Sequence, residues 1–240
     1  MKKESDKRYF TFPVKMLENV FDDICETCDK IMDYGIYSHS LTLDEGDEFQ
    51  RFKASAKYLK TKFTKNPHDN FLYAKRLFEQ FPEGSPITSL STDLVSNFRN
   101  ESELKSEFEI ATFAALAAIK SIIGNKPYIK TTNKFLIARM GGYASMKDVP
   151  EVLPEKLQKY SSRRRLNRIK TAIEINNWGI NIFSRRNIRG LYVSLNSKFT
   201  LDQLAKVAAE NNQRYREKQL KRKKEEAYKK ALLLIENTTT

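Results

Sequence analysis

The sequence has 240 residues, of which 40% are apolar and 30% are charged. Its 43 Lys and Arg against 30 Asp and Glu give a formal net charge of +13. A chain of this length can bury a core and form one or two domains. Eight glycines, seven prolines and two cysteines exclude a collagen-like chain and a disulfide scaffold. The positive charge favours a polyanionic partner.

The charge is divided unevenly along the chain. Residues 1–125 hold 17 Lys and Arg against 20 Asp and Glu, a net charge of −3. Residues 126–240 hold 26 against 10, a net charge of +16. Such an asymmetry indicates that the second half binds nucleic acid or another acidic surface.

Neither a signal peptide nor a membrane span is expected. No apolar stretch follows the charged N-terminal residues, as a signal peptide requires. The longest apolar stretch, around residues 113–123, is shorter than the roughly 20 residues that a membrane span needs. We therefore expect a cytoplasmic protein without membrane contact.

The first half is predicted to be a helical module over residues 1–101. Apolar residues at steps of three and four predict amphipathic helices over residues 13–33, 49–59 and 71–81. Pro13 suits the first turn of the first helix, and Gly35 is expected to end it. The proline-containing segment 82–86 is the best linker candidate of this half.

The first half contains no recognisable catalytic motif. Cys25 and Cys28 form an isolated C-x-x-C, whereas structural zinc needs four ligands and a redox pair needs a thiol at a helix N-terminus. We expect two ordinary helix residues there, and packed or surface positions for His39 and His68. We predict no metal, no cofactor and no enzymatic activity, although nuclease carboxylates hidden among the acidic residues would not be visible in a sequence.

The second half alternates helices with short extended segments. Helices are predicted over residues 103–123, 134–140 and 154–177, with an extended segment at 126–132 and a β-hairpin at 178–195. Within the last helix, Ser161 and Ser162 either interrupt the helix or cap a second one. The predicted fold class is therefore mainly α with a small β-hairpin.

This order of elements resembles the winged helix-turn-helix DNA-binding domain over residues 103–196, which sets a predicted domain of 102–197. Residues 130–142 resemble the second helix of that family, and residues 160–174 resemble its recognition helix. The connection at 143–153 is longer than the usual turn. The resemblance implies that the recognition helix enters the major groove while the hairpin, or wing, contacts the backbone.

The candidate DNA-binding residues are basic or amide side chains on these elements. Arginine can contact guanine edges and phosphates in bidentate fashion, and Asn167 is a candidate reader of adenine. The predicted set is Lys130, Lys134, Arg163, Arg164, Arg165, Asn167, Arg168, Lys170, Arg185, Arg186 and Arg189.

The C-terminal segment 198–240 is predicted to be one basic helix. Thr200 and Gln203 form a capping box, and residues 214–230 hold nine Lys and Arg against three Glu. The helix can lie along nucleic acid, pair with a second copy or stay solvated. A homodimer through this helix or through the N-terminal module is thus one expectation.

Together these patterns predict a double-stranded DNA-binding protein of replication initiation or transcription regulation. Its Lys-, Asn- and Ile-rich sequence suggests a phage or mobile-element setting. The alternative is a non-catalytic structural or RNA-associated protein that uses its basic C-terminal helix for packaging or scaffolding.

Overall fold

The computed structural model describes residues 7–63, 65–81 and 84–238. This part of the chain is mainly helical with two small antiparallel sheets, which confirms the predicted fold class. The α-helices are α1 (Ile24–Ser40), α2 (Glu48–Tyr58), α3 (Pro67–Glu79), α4 (Thr92–Asn100), α5 (Glu107–Ile123), α6 (Asn133–Met140), α7 (Glu155–Gln158), α8 (Arg163–Ile175) and α9 (Leu201–Thr238). The strands are β1 (Tyr9–Pro13), β2 (Ile87–Ser91), β3 (Tyr128–Thr131), β4 (Ile180–Phe183) and β5 (Leu191–Leu195).

The prediction of a helix over residues 13–33 is wrong in its first half. β1 pairs there with the distant β2, and a 3-10 turn, Val14–Leu17, follows it. α1 begins only at Ile24, because the Asp23 side chain accepts a hydrogen bond from the backbone N–H of Glu26 at 2.8 Å and caps the helix. Of the apolar residues whose spacing predicted a helix, Val14 and Leu17 are instead buried in the 3-10 turn, and Ile24 is the first residue of α1.

Gly35 does not end α1, which continues to Ser40. A Cβ atom at Gly35 would lie 2.6 Å from Cδ1 of Phe10, a residue of β1. The glycine therefore lets the strand pack closely on the helix. The other predicted helices of this half are present as α2 and α3, whereas α4 was not predicted.

The predicted linker at 82–86 includes Pro82 and Glu83, which lie outside the described residues. Its last residue, Pro86, accepts a hydrogen bond from the backbone N–H of Val14 at 2.8 Å. β2 starts at the next residue, so this end of the segment is tied to the core.

α5 is the central helix of the molecule. All residues from Ala111 to Ile119 are buried, and the Thr88 hydroxyl of β2 donates to the Ala117 carbonyl at 2.7 Å. α5 also packs on α6 and α8, and one hydrophobic core extends from Phe10 to Val193. The helix next to the predicted boundary at residue 102 thus serves both halves of the chain.

The second half follows the predicted order of helix, strand, helix, helix and hairpin. Its antiparallel sheet has the order β3-β5-β4, with Val193 of β5 between Ile129 of β3 and Ile182 of β4. The predicted helix over 154–177 is interrupted. α7 is followed by a 3-10 turn, Lys159–Ser161, and Ser162 then caps α8.

α9 begins with the predicted capping box. The Thr200 side chain accepts from the Gln203 N–H at 3.2 Å, and the Gln203 side chain accepts from the Thr200 N–H at 2.8 Å. Leu204 and Ala208 are buried against Phe183 and Tyr192 of the hairpin, which anchors the first turns of α9 to the sheet.

Candidate nucleic-acid interface

α8 presents all four of its arginines to solvent because its apolar residues face the core. Leu166, Ile169 and Ile173 are fully buried. At 3.6 residues per turn, this stripe turns the other positions outward. The outward positions include Arg163, Arg164, Arg165, Asn167 and Arg168, all of which are exposed.

Two of these arginines have partners within the chain. The Arg168 guanidinium lies over the Phe108 ring of α5, 5.1 Å from its centroid. Arg165 Nη1 donates to the Lys159 carbonyl at 3.2 Å. By contrast, neither Arg163 nor Arg164 forms an ion pair with a carboxylate of the described residues. Their guanidinium groups are therefore available to an external anion.

Lys170 is not part of the exposed basic face. Its side chain is only 6% exposed, and its Nζ donates to Oδ1 of Asn133 at 2.9 Å. Burial, together with the nearby Arg163, lowers the pKa of Lys170 to about 8. The contact joins α8 to the first residue of α6, so Lys170 positions the two helices and does not reach outward.

Lys134 and Lys130 occupy the elements before α8. Lys134 is exposed in the first turn of α6, which Thr132 caps by accepting from the Phe135 N–H at 3.1 Å. Lys130 is exposed on β3, and its Nζ lies 5.6 Å from the centroid of the Tyr192 ring.

We refer to the hairpin tip between β4 and β5, residues 184–190, as the wing. Arg185, Arg186 and Arg189 are exposed on it, and the Arg185 guanidinium lies over the Phe183 ring at 5.2 Å. Gly190 has a φ of +102°, and a Cβ there would lie 2.8 Å from Cε of Lys130. The close approach of Gly190 brings Lys130 to the base of the wing.

The wing also contacts α9, which sequence reasoning missed. The Arg189 guanidinium lies 4.4 Å from the centroid of the Tyr215 ring, and Asn212 donates to the Asn187 carbonyl at 3.0 Å. The spacing places Asn212 and Tyr215 on the helix face of Leu204 and Ala208, but it does not indicate that the wing is the partner of that face.

The two cysteines and two histidines of the first half occupy positions that range from buried (Cys28) to exposed (His68). Cys25 and Cys28 both lie in α1, as expected, and burial raises the pKa of the Cys28 thiol. His39 Nδ1 lies 2.9 Å from the Ser55 hydroxyl, and burial lowers the pKa of the imidazole. His68 packs edge-on against Phe49. Among the described residues, no group of three or more His, Cys, Asp or Glu is arranged to hold a metal ion.

A cleft of about 830 Å³ lies beside the 3-10 turn, α1, α3 and residues 142–148. Both cations among its described lining residues are already paired, Lys15 with Glu18 and Lys30 with Glu26, each at 2.8 Å. The cleft therefore presents no excess charge comparable to that of α8 and the wing.

Comparison of the chain with protein-family models, curated proteins and solved structures gave no match. None of the described helices is both long and apolar enough to cross a membrane. The class of protein must therefore be inferred from the geometry of α8, the wing and α9.

Proposed function

We propose that the protein binds double-stranded DNA, with α8 in the major groove and the wing on the flanking backbone. The observation that carries the proposal is the exposed arginine face of α8, which projects from a helix–strand–helix–helix–hairpin unit. That order is the one for which the sequence resembles the winged helix-turn-helix family. An α-helix about 10–12 Å across matches the roughly 12 Å width of the major groove.

The exposed side chains can serve two kinds of contact with DNA, with the bases and with the phosphate backbone. Arg163, Arg164 and Arg168 can contact guanine edges or phosphates, and Asn167 can pair with adenine. Arg185, Arg186 and Arg189 of the wing, with Lys130 at its base, can contact phosphates of the flanking backbone. Lys170 has no place in this interface, because it is buried.

We extend the proposal to replication initiation or transcription regulation, in a phage or mobile element. The support for that setting is the Lys-, Asn- and Ile-rich composition of the sequence alone. The competing function is RNA association or scaffolding by the basic part of α9, which nine Lys and Arg over residues 214–230 favour.

The test is the affinity for duplex DNA of the Arg164→Ala/Arg168→Ala variant, measured by fluorescence anisotropy at about 150 mM salt. Two base or phosphate contacts of about 1 kcal/mol or more each predict a loss of at least about thirtyfold. Both residues are exposed, and loss of the contact between Arg168 and Phe108 costs about 0.5–1 kcal/mol, so the melting temperature should fall by only a few degrees.

A matched control is the Lys53→Ala/Lys57→Ala variant on α2. It removes two exposed cations four residues apart, and Lys53 lies over the Phe49 ring much as Arg168 lies over Phe108. The control should bind within about twofold of the natural chain. Full affinity in the α8 variant, lost only on truncation after Asn212, would favour the competing function.

A further inference from the structure

The wing tip is held against α9 by two hydrogen bonds and one cation–π contact. Asn212 of α9 donates from Nδ2 to the Asn187 carbonyl at 3.0 Å, and its Oδ1 accepts from the Arg189 N–H at 3.5 Å. The Arg189 guanidinium lies over the Tyr215 ring at 4.4 Å. One amide side chain thus contacts the wing backbone twice, and an aromatic ring one helical turn further on holds a wing side chain.

The first turns of α9 are anchored mainly on the strands of the hairpin, with Ile188 of the wing packed against the same apolar cluster. Leu204 and Ala208 are fully buried on the hairpin, and the Asn181 side chain of β4 donates to the Phe199 carbonyl just before the helix at 2.7 Å. α9 is therefore attached at its base and again at the wing tip. Two attachments along one helix determine the direction in which the rest of the helix projects.

The attached face of α9 becomes basic beyond the wing. Steps of three and four residues lead from Asn212 and Tyr215 to Lys218, Arg222 and Lys229. Residues 213–231 are exposed, apart from a half-buried Gln219. The helix face that packs on the sheet and then on the wing therefore turns its next cations toward the side on which the wing lies.

We propose that α9 beyond Tyr215 is a rigid basic arm that lies along the DNA backbone outside the site contacted by α8, on the side of the wing. This inference rests on the proposed function. Duplex DNA fits the arm by charge, because phosphates complement its eight Lys and Arg against three Glu over residues 216–230. Residues 215–230 span about 22 Å, the length of about six base pairs.

The first test compares two double variants in the salt dependence of duplex binding. Lys218→Ala/Lys229→Ala removes cations within about 60° of Tyr215 around the helix, whereas Arg216→Ala/Lys224→Ala removes cations at about 100° and 180°. Each phosphate contact contributes about 0.9 to the slope of log K against log salt. The first variant should lower the slope by about two, and the second by less than about one.

The second test disconnects the arm without changing its charge. Asn212→Ala/Tyr215→Ala removes the two hydrogen bonds and the cation–π contact with the wing tip, while the base of α9 stays anchored through Leu204 and Ala208. On a duplex selected by the natural chain, hydroxyl-radical footprinting should show the protected region shortened by about six base pairs on one side. The sequence preference, which α8 determines, should stay the same.

Two results would contradict the proposal that α9 is a basic arm oriented by the wing. Equal decreases of the salt slope in the two charge variants would mean that no particular face of α9 is turned toward the DNA. An unchanged footprint in the Asn212→Ala/Tyr215→Ala variant would mean that the wing does not position α9. Failure of the proposed function has a different signature, because the natural chain would then give no bounded footprint on any selected duplex.

Discussion

Burial separates Lys170 from the arginines that precede it on α8. In the folded chain its pKa is about 8, below the ordinary value of 10.5, because burial and the nearby Arg163 disfavour the ammonium form. The unfolded chain therefore binds more protons between pH 8 and pH 10.5, and the contribution of Lys170 to stability rises with pH through that window. Below pH 8, keeping the ammonium buried costs free energy.

We predict that Lys170→Met raises the free energy of unfolding at pH 7 by on the order of 1–3 kcal/mol. The gain should shrink as the pH rises from 8 toward 10.5, as measured by thermal unfolding at several pH values. Lys57→Met, on the exposed face of α2, serves as the control and should change stability little. A gain that does not depend on pH would contradict the account.

The sequence contained enough to predict the burial of Lys170 but not its partner. Lys170 lies four residues after Leu166 and three before Ile173, so it borders the buried stripe of α8. The contact with Asn133 depends on how α6 and α8 cross, which helical periodicity does not specify. The outward direction of Arg164, in contrast, follows from periodicity alone.

Pairing between distant elements explains where prediction of the elements failed. β1 and β2 are paired with Phe12 opposite Thr88, and no local pattern in either segment indicates that partner. The steps of three and four among the apolar residues that follow Pro13 fit a helix equally well. The docking of the wing on α9 escaped prediction for the same reason, whereas the capping box of α9 is local and was predicted.

The segment after α6 gives a test of packing between elements. Gly142 has a φ of +81°, and a Cβ there would lie 3.0 Å from both the Glu18 nitrogen and the Lys15 carbonyl oxygen. Gly142→Ala should therefore lower the free energy of unfolding by more than the roughly 1–2 kcal/mol that a left-handed conformation costs an alanine.

Gly179→Ala is the matched control for this substitution. Gly179 has a φ of +75°, and a Cβ there would have no neighbour within 4 Å. Denaturant unfolding should show the larger loss for Gly142→Ala. Equal losses would mean that the 3-10 turn after β1 does not pack on this segment.

At the scale of the whole molecule, the uneven distribution of charge along the sequence corresponds to particular surfaces of the fold. The shared core around α5 joins a first half with net charge −3 to a second half with net charge +16. Much of the excess positive charge lies on three exposed features, namely α8, the wing and the part of α9 beyond Asn212. The division of charge was visible in the sequence, whereas the contact that joins two of these features was not.

The most direct measurement of the central proposal is selection of bound duplexes from a random pool by the full chain at about 150 mM salt, where non-specific binding is weak. We predict that one motif is enriched and that Arg164→Ala/Arg168→Ala abolishes the enrichment while Lys53→Ala/Lys57→Ala preserves it. A palindromic motif would also indicate a homodimer. A duplex pool without enrichment, or single-stranded RNA bound in preference to every duplex, would contradict the proposal.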